Sequence, residues 1–193
     1  MKKFLNKIHL AVALTTCVLL INCSEPNIQS VLDLNCSEQA FENLNTSKEP
    51  RGYFEVPIPN HFKKEFFVNE FESRLYFADT TKQLSDAYIM DFGFYSATPT
   101  ELNQPFIEKK ILEYKNNTDV RLEVSEKIVF QGKTGHVLFS KKNDDFLPIN
   151  SIEIYIPNTS NTYYYIKSDF YGNDNLESRI CQALSLLELS KLP

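Results

Sequence analysis

Between Ala87 and Tyr95 every second residue is large and apolar: Tyr88, Met90, Phe92 and Phe94. Successive side chains of a strand point to opposite faces, so these four share one face while Asp91 and Gly93 take the other. The same period returns elsewhere. Tyr53–Pro59 is an extended run ended by prolines, which have no N–H to give a ladder. Ser73–Thr80 alternates Leu75 and Phe77 against Arg74 and Tyr76. Val120–Gln131 and His136–Lys141 are strands joined by Gly132-Lys133-Thr134-Gly135, and Ile152/Ile154/Ile156 pairs with Tyr163/Tyr165 across Pro157–Asn161.

Two segments have the helical period instead. Ile107, Ile111 and Tyr114 recur at i, i+4 and i+7 behind Pro105, which is tolerated in a first turn, so a helix covers about 104–116. Leu176, Ile180, Leu184 and Leu187 stripe a closing helix, with Asp174 as its N-cap and Glu177 completing a capping box. The predicted order is β-β-β-α-β-β-β-β-α. Such an order folds as an α+β sandwich, a mostly antiparallel sheet with two amphipathic helices. At 193 residues the chain suits one domain, expected over 51–193.

The first 50 residues have another texture. Lys2, Lys3 and Lys7 precede a 14-residue apolar run, Ile8–Ile21. That run is shorter than the roughly 20 residues a membrane-spanning helix needs, and it fits a secretory signal over 1–22. Leu20-Ile21-Asn22-Cys23 resembles the lipobox of bacterial lipoproteins, with Asn22 where a smaller residue is usual. The resemblance implies cleavage before Cys23 and its acylation, with palmitate among the chains. Residues 23–50 then read as a polar tether with a short helix at 37–44.

Removing the signal takes three Lys, leaving 17 basic against 25 acidic residues and a net charge of −8. An acidic domain of this kind is a poor match to nucleic acid or to anionic headgroups. Membrane contact is therefore expected through the lipid alone. Of four cysteines, Cys17 leaves with the signal and Cys23 carries lipid. The remaining two, Cys36 and Cys181, form an even pair in an oxidising compartment, and a disulfide is expected between them.

No constellation for catalysis emerges. Gly132-Lys133-Thr134 looks like the end of a phosphate loop, but Lys127 stands where the motif needs glycine, and a strand rather than a helix follows. His61 and His136 are the histidines of the mature chain, and no Gly-x-Ser-x-Gly elbow accompanies them. There is no zinc spacing, and Asn143-Asp144-Asp145 lacks the ligand alternation of a calcium loop. No metal and no cofactor is expected. Asp91, set in the most apolar strand, needs a partner if the second face of the sheet is covered. The stretch 61–71 holds more aromatics than a short connection buries, so His61, Phe62, Phe66, Phe67 and Phe71 are the candidate partner surface.

The element order resembles the PsbP-like family, which includes DcrB-like envelope lipoproteins. The resemblance rests on Phe54-Glu55-Val56-Pro57-Ile58-Pro59, the strand 87–95 leading into the helix at 104–116, the 132–135 hairpin, and Leu184-Ser185-Leu186 in the closing helix. It covers residues 51–190. The tryptophan that the family often has after the opening prolines is missing, and Phe62 or Phe66 stands in. The resemblance implies the fold and no functional residues.

The expectation is a non-enzymatic, lipid-anchored cell-envelope protein, periplasmic or surface-facing and most often on an outer membrane, that binds another protein. The alternatives are an immunity lipoprotein neutralising a secreted toxin in the periplasm, and a hydrolase.

Overall fold

The computed structural model describes residues 26–37, 39–96, 104–143 and 146–193. The signal segment, Cys23, the 97–103 connection and Asp144-Asp145 lie outside them. The elements are α1 (Ile28–Val31), β1 (Leu44–Lys48), β2 (Glu55–Pro59), β3 (Lys63–Val68), β4 (Glu72–Ala78), β5 (Tyr88–Tyr95), α2 (Gln104–Asn116), β6 (Val120–Phe130), β7 (Lys133–Lys142), β8 (Ile149–Thr159), β9 (Thr162–Tyr171) and α3 (Leu176–Glu188). A 3-10 turn at Leu84–Asp86 leads into β5.

Seven strands form one antiparallel sheet in the order β3-β4-β5-β9-β8-β7-β6. β1 and β2 make a separate hairpin. The alternation read from sequence sets the faces. Leu75, Phe77, Met90, Phe92, Ile152, Ile154, Ile156, Ile166 and Phe170 are buried on one side. That side is covered by Phe54, Val56 and Ile58 of β2, by Ile28 of α1, and by Ile180, Ala183, Leu184 and Leu187 of α3. α2 covers part of the other side, resting Ile107 and Ile111 on Leu138, Tyr155 and Tyr163. The expected α+β sandwich is therefore present. No helix of the described residues is long and apolar enough to cross a membrane.

The structure departs from the sequence reading at several points. The segment read as a tether is folded from Pro26 onward. The Pro26 carbonyl accepts a bond from the Val129 N–H, and Ile28 is buried. The short helix is α1, capped by the Asn27 side chain accepting from Ser30 N at 2.8 Å, and not a helix over 37–44. β1 follows as a mostly polar strand held by its pairing with β2. β3 was not expected. It is an edge strand, and all six of its residues are exposed, so it has no alternation to read. The β6–β7 turn is Gln131-Gly132, with φ of 49° and 75°, values that suit a two-residue hairpin. Gly135 is already inside β7, where its hydrogen faces the Tyr155 carbonyl. The α3 N-cap is Asn175, at φ 51° and with no side-chain cap bond, rather than Asp174.

Cys36 and Cys181 are disulfide-bonded, with a Cα–Cα distance of 5.3 Å. The bond clips the chain after α1 to α3.

Candidate functional site

The second face of the sheet is where polar and aromatic groups gather. On β8 the alternation that buries Ile152, Ile154 and Ile156 sends Ser151, Glu153 and Tyr155 to the α2 side. β9 sends Tyr163, Tyr165, Lys167 and Asp169 there, and β5 sends Asp91 and Tyr95. α2 lies across part of this face and contributes Phe106, Lys110, Glu113 and Tyr114. The result is a cleft of about 460 Å³ lined by these four, Tyr95, Asn117, Glu153, Tyr155, Tyr163 and Tyr165.

Its floor is Glu153, buried at 7% exposure. One carboxyl oxygen accepts the Tyr114 hydroxyl at 2.5 Å and the other accepts the Tyr155 hydroxyl at 2.6 Å. Burial first, and then the carboxylate beside them, push both phenols well above their ordinary value, so they stay protonated donors. The walls are rings. Tyr95 stacks on Tyr163 at 5.2 Å, Phe106 meets Tyr155 edge-on at 5.6 Å, and Tyr165 lies 5.0 Å from Tyr155. Gly93 leaves room for the Tyr95 ring to fold back, since a Cβ there would lie 2.8 Å from Tyr95 Cε2.

Beside the cleft, Asp91 is buried and answers the question its sequence position raised. The second face is covered enough to need a partner, and Arg74 supplies it. Arg74 Nε donates to Oδ1 at 3.2 Å, and its Nη2 reaches Oδ2. Burial still leaves the Asp91 carboxyl above its ordinary value.

The histidines fall in two other places. His61 is exposed and sits 3.4 Å from buried Asp79, in a second cleft of about 470 Å³ that also holds Lys82, Tyr88 and Gln182. Among the described residues no serine or cysteine lines this cleft. His136 is half-buried rather than solvated. Its Nε2 lies 3.0 Å from Ser125 Oγ across β6 and β7, and burial lowers its pKa below the ordinary value. That pair has no carboxylate behind the imidazole among the described contacts, and it lines neither cleft. Among the described residues no group of three His, Cys, Asp or Glu could hold a metal ion.

The expected partner surface divides. Phe62 turns inward against Tyr88 and Phe77, and His61 joins the Asp79 cleft. Phe66, Phe67 and Phe71 stay outside at 37%, 50% and 52% exposure, with Val68 at 43%. Phe66 is opposite Leu75, and Phe67 is opposite Arg74, so the two rings project from opposite faces of the sheet edge. The other sheet edge is blunted. β6 is bulged between Leu122 and Val124, and Pro26 already takes the Val129 N–H.

The tyrosine cleft was not foreseen from sequence. The available signal was parity, because Tyr155, Tyr163 and Tyr165 all fall on the polar side of their strands.

No family model matches the chain, and no curated protein matches it. Among solved structures it is similar to cyanobacterial PsbP from Synechocystis, with TM-score 0.56, 9% identity, and coverage of 82% of this chain and 98% of that one. It is also similar to LpqN of Mycobacterium tuberculosis, described as involved in cell envelope biogenesis, with TM-score 0.49, 9% identity, and coverage of 88% and 99%. A Ran-binding protein of Saccharomyces cerevisiae aligns at TM-score 0.47 and 11% identity, over 78% and 95%. At such identities likeness speaks to fold alone, and the assignment rests on the first. The chain has a PsbP-like fold.

Proposed function

We propose that this chain is a non-enzymatic, lipid-anchored protein of a bacterial cell envelope whose domain captures another protein along β3. The observation that carries the reading is the apolar half of that edge strand. Edge strands leave every second N–H and C=O unused by the sheet, and natural edges are usually guarded by charge. Lys63, Lys64 and Glu65 guard one end of β3, and Lys64 is drawn aside to Ser47 Oγ at 2.7 Å. Phe66, Phe67 and Val68 leave the other end open and apolar. A partner strand added there would gain main-chain bonds from the edge and contact from a ring on each face.

Anchoring through Cys23 supports a partner close to the membrane. Cys23 stands three residues before Pro26, whose carbonyl is bonded to β6. An acylated Cys23 would therefore hold the fold within about 10 Å of its lipid.

The test is site-specific photo-crosslinking in intact cells. A photoreactive residue at position 67 or 71 is expected to give one discrete protein adduct, and the same residue at exposed Leu112 on α2 none. Phe66→Lys with a probe at 71 is expected to weaken the adduct at least tenfold. Equal adducts from all positions, or none from positions 67 and 71, would refute the surface. Cys23→Ser is expected to abolish incorporation of a palmitate analogue and to release the protein from the membrane fraction.

A further inference from the structure

We propose that the tyrosine cleft beneath α2 is a binding site for an organic primary ammonium ion, with Glu153 as its acceptor. The charges on this face pair off. Arg74 is bonded to Asp91, Lys167 lies 2.9 Å from Asp169, and Lys110 lies 2.8 Å from Glu113. Glu153 makes no such pair, because Lys167, opposite it across β8 and β9, turns its ammonium to Asp169. Among the described residues no Lys, Arg or His nitrogen comes within 4.0 Å of its carboxyl, although it is the most buried of the cleft's charged groups. Two phenol hydroxyls satisfy one acceptor position on each oxygen. A carboxylate has about four such positions, so two remain.

A buried carboxylate is costly without a cation in direct contact, and a ligand cation would supply one. The walls suit a cation as well, because the faces of aromatic rings carry negative potential. The molecule already shows this preference at the mouth, where the Lys110 ammonium lies 5.8 Å from the centre of the Phe106 ring. The volume of about 460 Å³ is that of a small-molecule site. A bare metal ion fits poorly, since hard cations need several oxygen ligands and the floor offers one carboxylate among rings. A primary ammonium is favoured over a quaternary one because the two unused positions on Glu153 call for N–H donors.

The sequence supplies the assay. It contains ten tyrosines and no tryptophan, so tyrosine emission is unmasked, and five of the ten line the cleft. The full chain in an uncharged detergent is titrated with n-butylammonium chloride, against tetramethylammonium chloride, sodium butyrate and sodium chloride. Butylammonium is expected to change the emission saturably, tetramethylammonium to bind at least tenfold more weakly, and the two sodium salts to leave it unchanged. Glu153→Gln is expected to weaken butylammonium at least tenfold. Tyr165→Leu, at a half-buried wall, leaves both Glu153 bonds in place and is expected to weaken it severalfold, so the test survives if the first variant folds poorly. No saturation by about 50 mM, a weak interaction on any scale, would overturn the proposal. So would butyrate binding as well as butylammonium, tetramethylammonium matching it, or wild-type affinity in the folded variants.

Discussion

Arg179 is 3% exposed, yet it has no carboxylate within 4.0 Å among the described residues. Its guanidinium is met by main-chain oxygens instead. Nη1 donates to Ala87 O at 2.9 Å and to Tyr171 O at 2.8 Å, Nη2 to Gly172 O at 3.0 Å, and Nε to Asp174 O at 3.1 Å. One side chain thus ties α3 to the start of β5, the end of β9 and the turn between β9 and α3. Burial lowers its pKa, but a guanidinium remains charged in a protein.

Replacing it by Met sets two effects against each other. Removing a buried charge relieves desolvation. Four carbonyls, however, lose their donor, at roughly 1–3 kcal/mol for each one that stays dry. Gly172 O keeps a bond from Asn150 Nδ2 at 3.3 Å, and Asp174 lies at the exposed turn, so about two carbonyls, those of Ala87 and Tyr171, bear the loss. The expected net cost of Arg179→Met is about 3 kcal/mol, a large share of the 5–15 kcal/mol that holds a typical domain. Arg179→Lys keeps the charge but cannot reach four separated carbonyls from one nitrogen, and should cost about as much. Urea unfolding of the oxidised protein, followed by far-UV circular dichroism, measures both. An Arg179→Met midpoint within the equivalent of about 0.5 kcal/mol of wild type, at unchanged slope, would refute the reasoning, because hydrogen bonding would then not outweigh desolvation.

Other perturbations act through different physics. Cys36 and Cys181 are 145 residues apart, so opening their disulfide should cost up to about 5 kcal/mol in the chain-entropy model; a urea midpoint unmoved by reductant would contradict that. Glu49 is 2% exposed, and although burial acts first to raise its pKa, bonds from Arg51 and from the Tyr53 N–H hold it below its ordinary 4.5. Its folded pKa is the lower one, so its contribution is complete above about pH 4.5 and fades as pH falls through the folded value. Glu49→Gln should therefore destabilise by roughly 1–2 kcal/mol at pH 7 and progressively less at pH 3 in paired thermal melts. Gly135→Ala would set a Cβ 2.7 Å from the Tyr155 carbonyl, and should cost about 2 kcal/mol in urea unfolding. Gly93→Ala should cost less, because its one contact under 3.0 Å is with the end of the Tyr95 side chain, while Arg74 Cγ at 3.4 Å and the Tyr165 carbonyl at 3.5 Å are ordinary contacts.

What the sequence made legible depended on burial. β5 and β8 were readable because one of their faces lies in the core, and burial writes alternation into the residues. α2 and α3 were readable for the same reason, at the helical period. β1 is held by pairing, α1 is a single turn held by Ile28, and β3 is exposed on both sides, so none of them leaves a periodic trace. Arg179 follows Leu176 by three residues and so lies beside the stripe of α3, yet a stripe read from its leucines passes over the charged residue next to them. The cysteine pairing was legible by elimination alone. Phe62 was misplaced because an aromatic cluster in the sequence does not say which of its rings turn inward.

The tyrosine cleft shows where such reading stops. Alternation assigns Glu153 and Tyr155 to the side of β8 away from the core, and a half-buried antiparallel sheet ordinarily turns that side to water. Whether it does so here depends on α2, which follows β5 in the chain and folds back across β7, β8 and β9. That crossing is a property of connection and not of local pattern. It converts a solvent-facing row into the floor of a groove, so a carboxylate that would need no partner in water is buried and takes bonds from two phenols. The same reasoning separates the two proposed surfaces. β3 is open because nothing among the described residues crosses it, while the cleft is a groove because α2 crosses part of its face. A strand-like partner therefore suits the first, and a small cation suits the second.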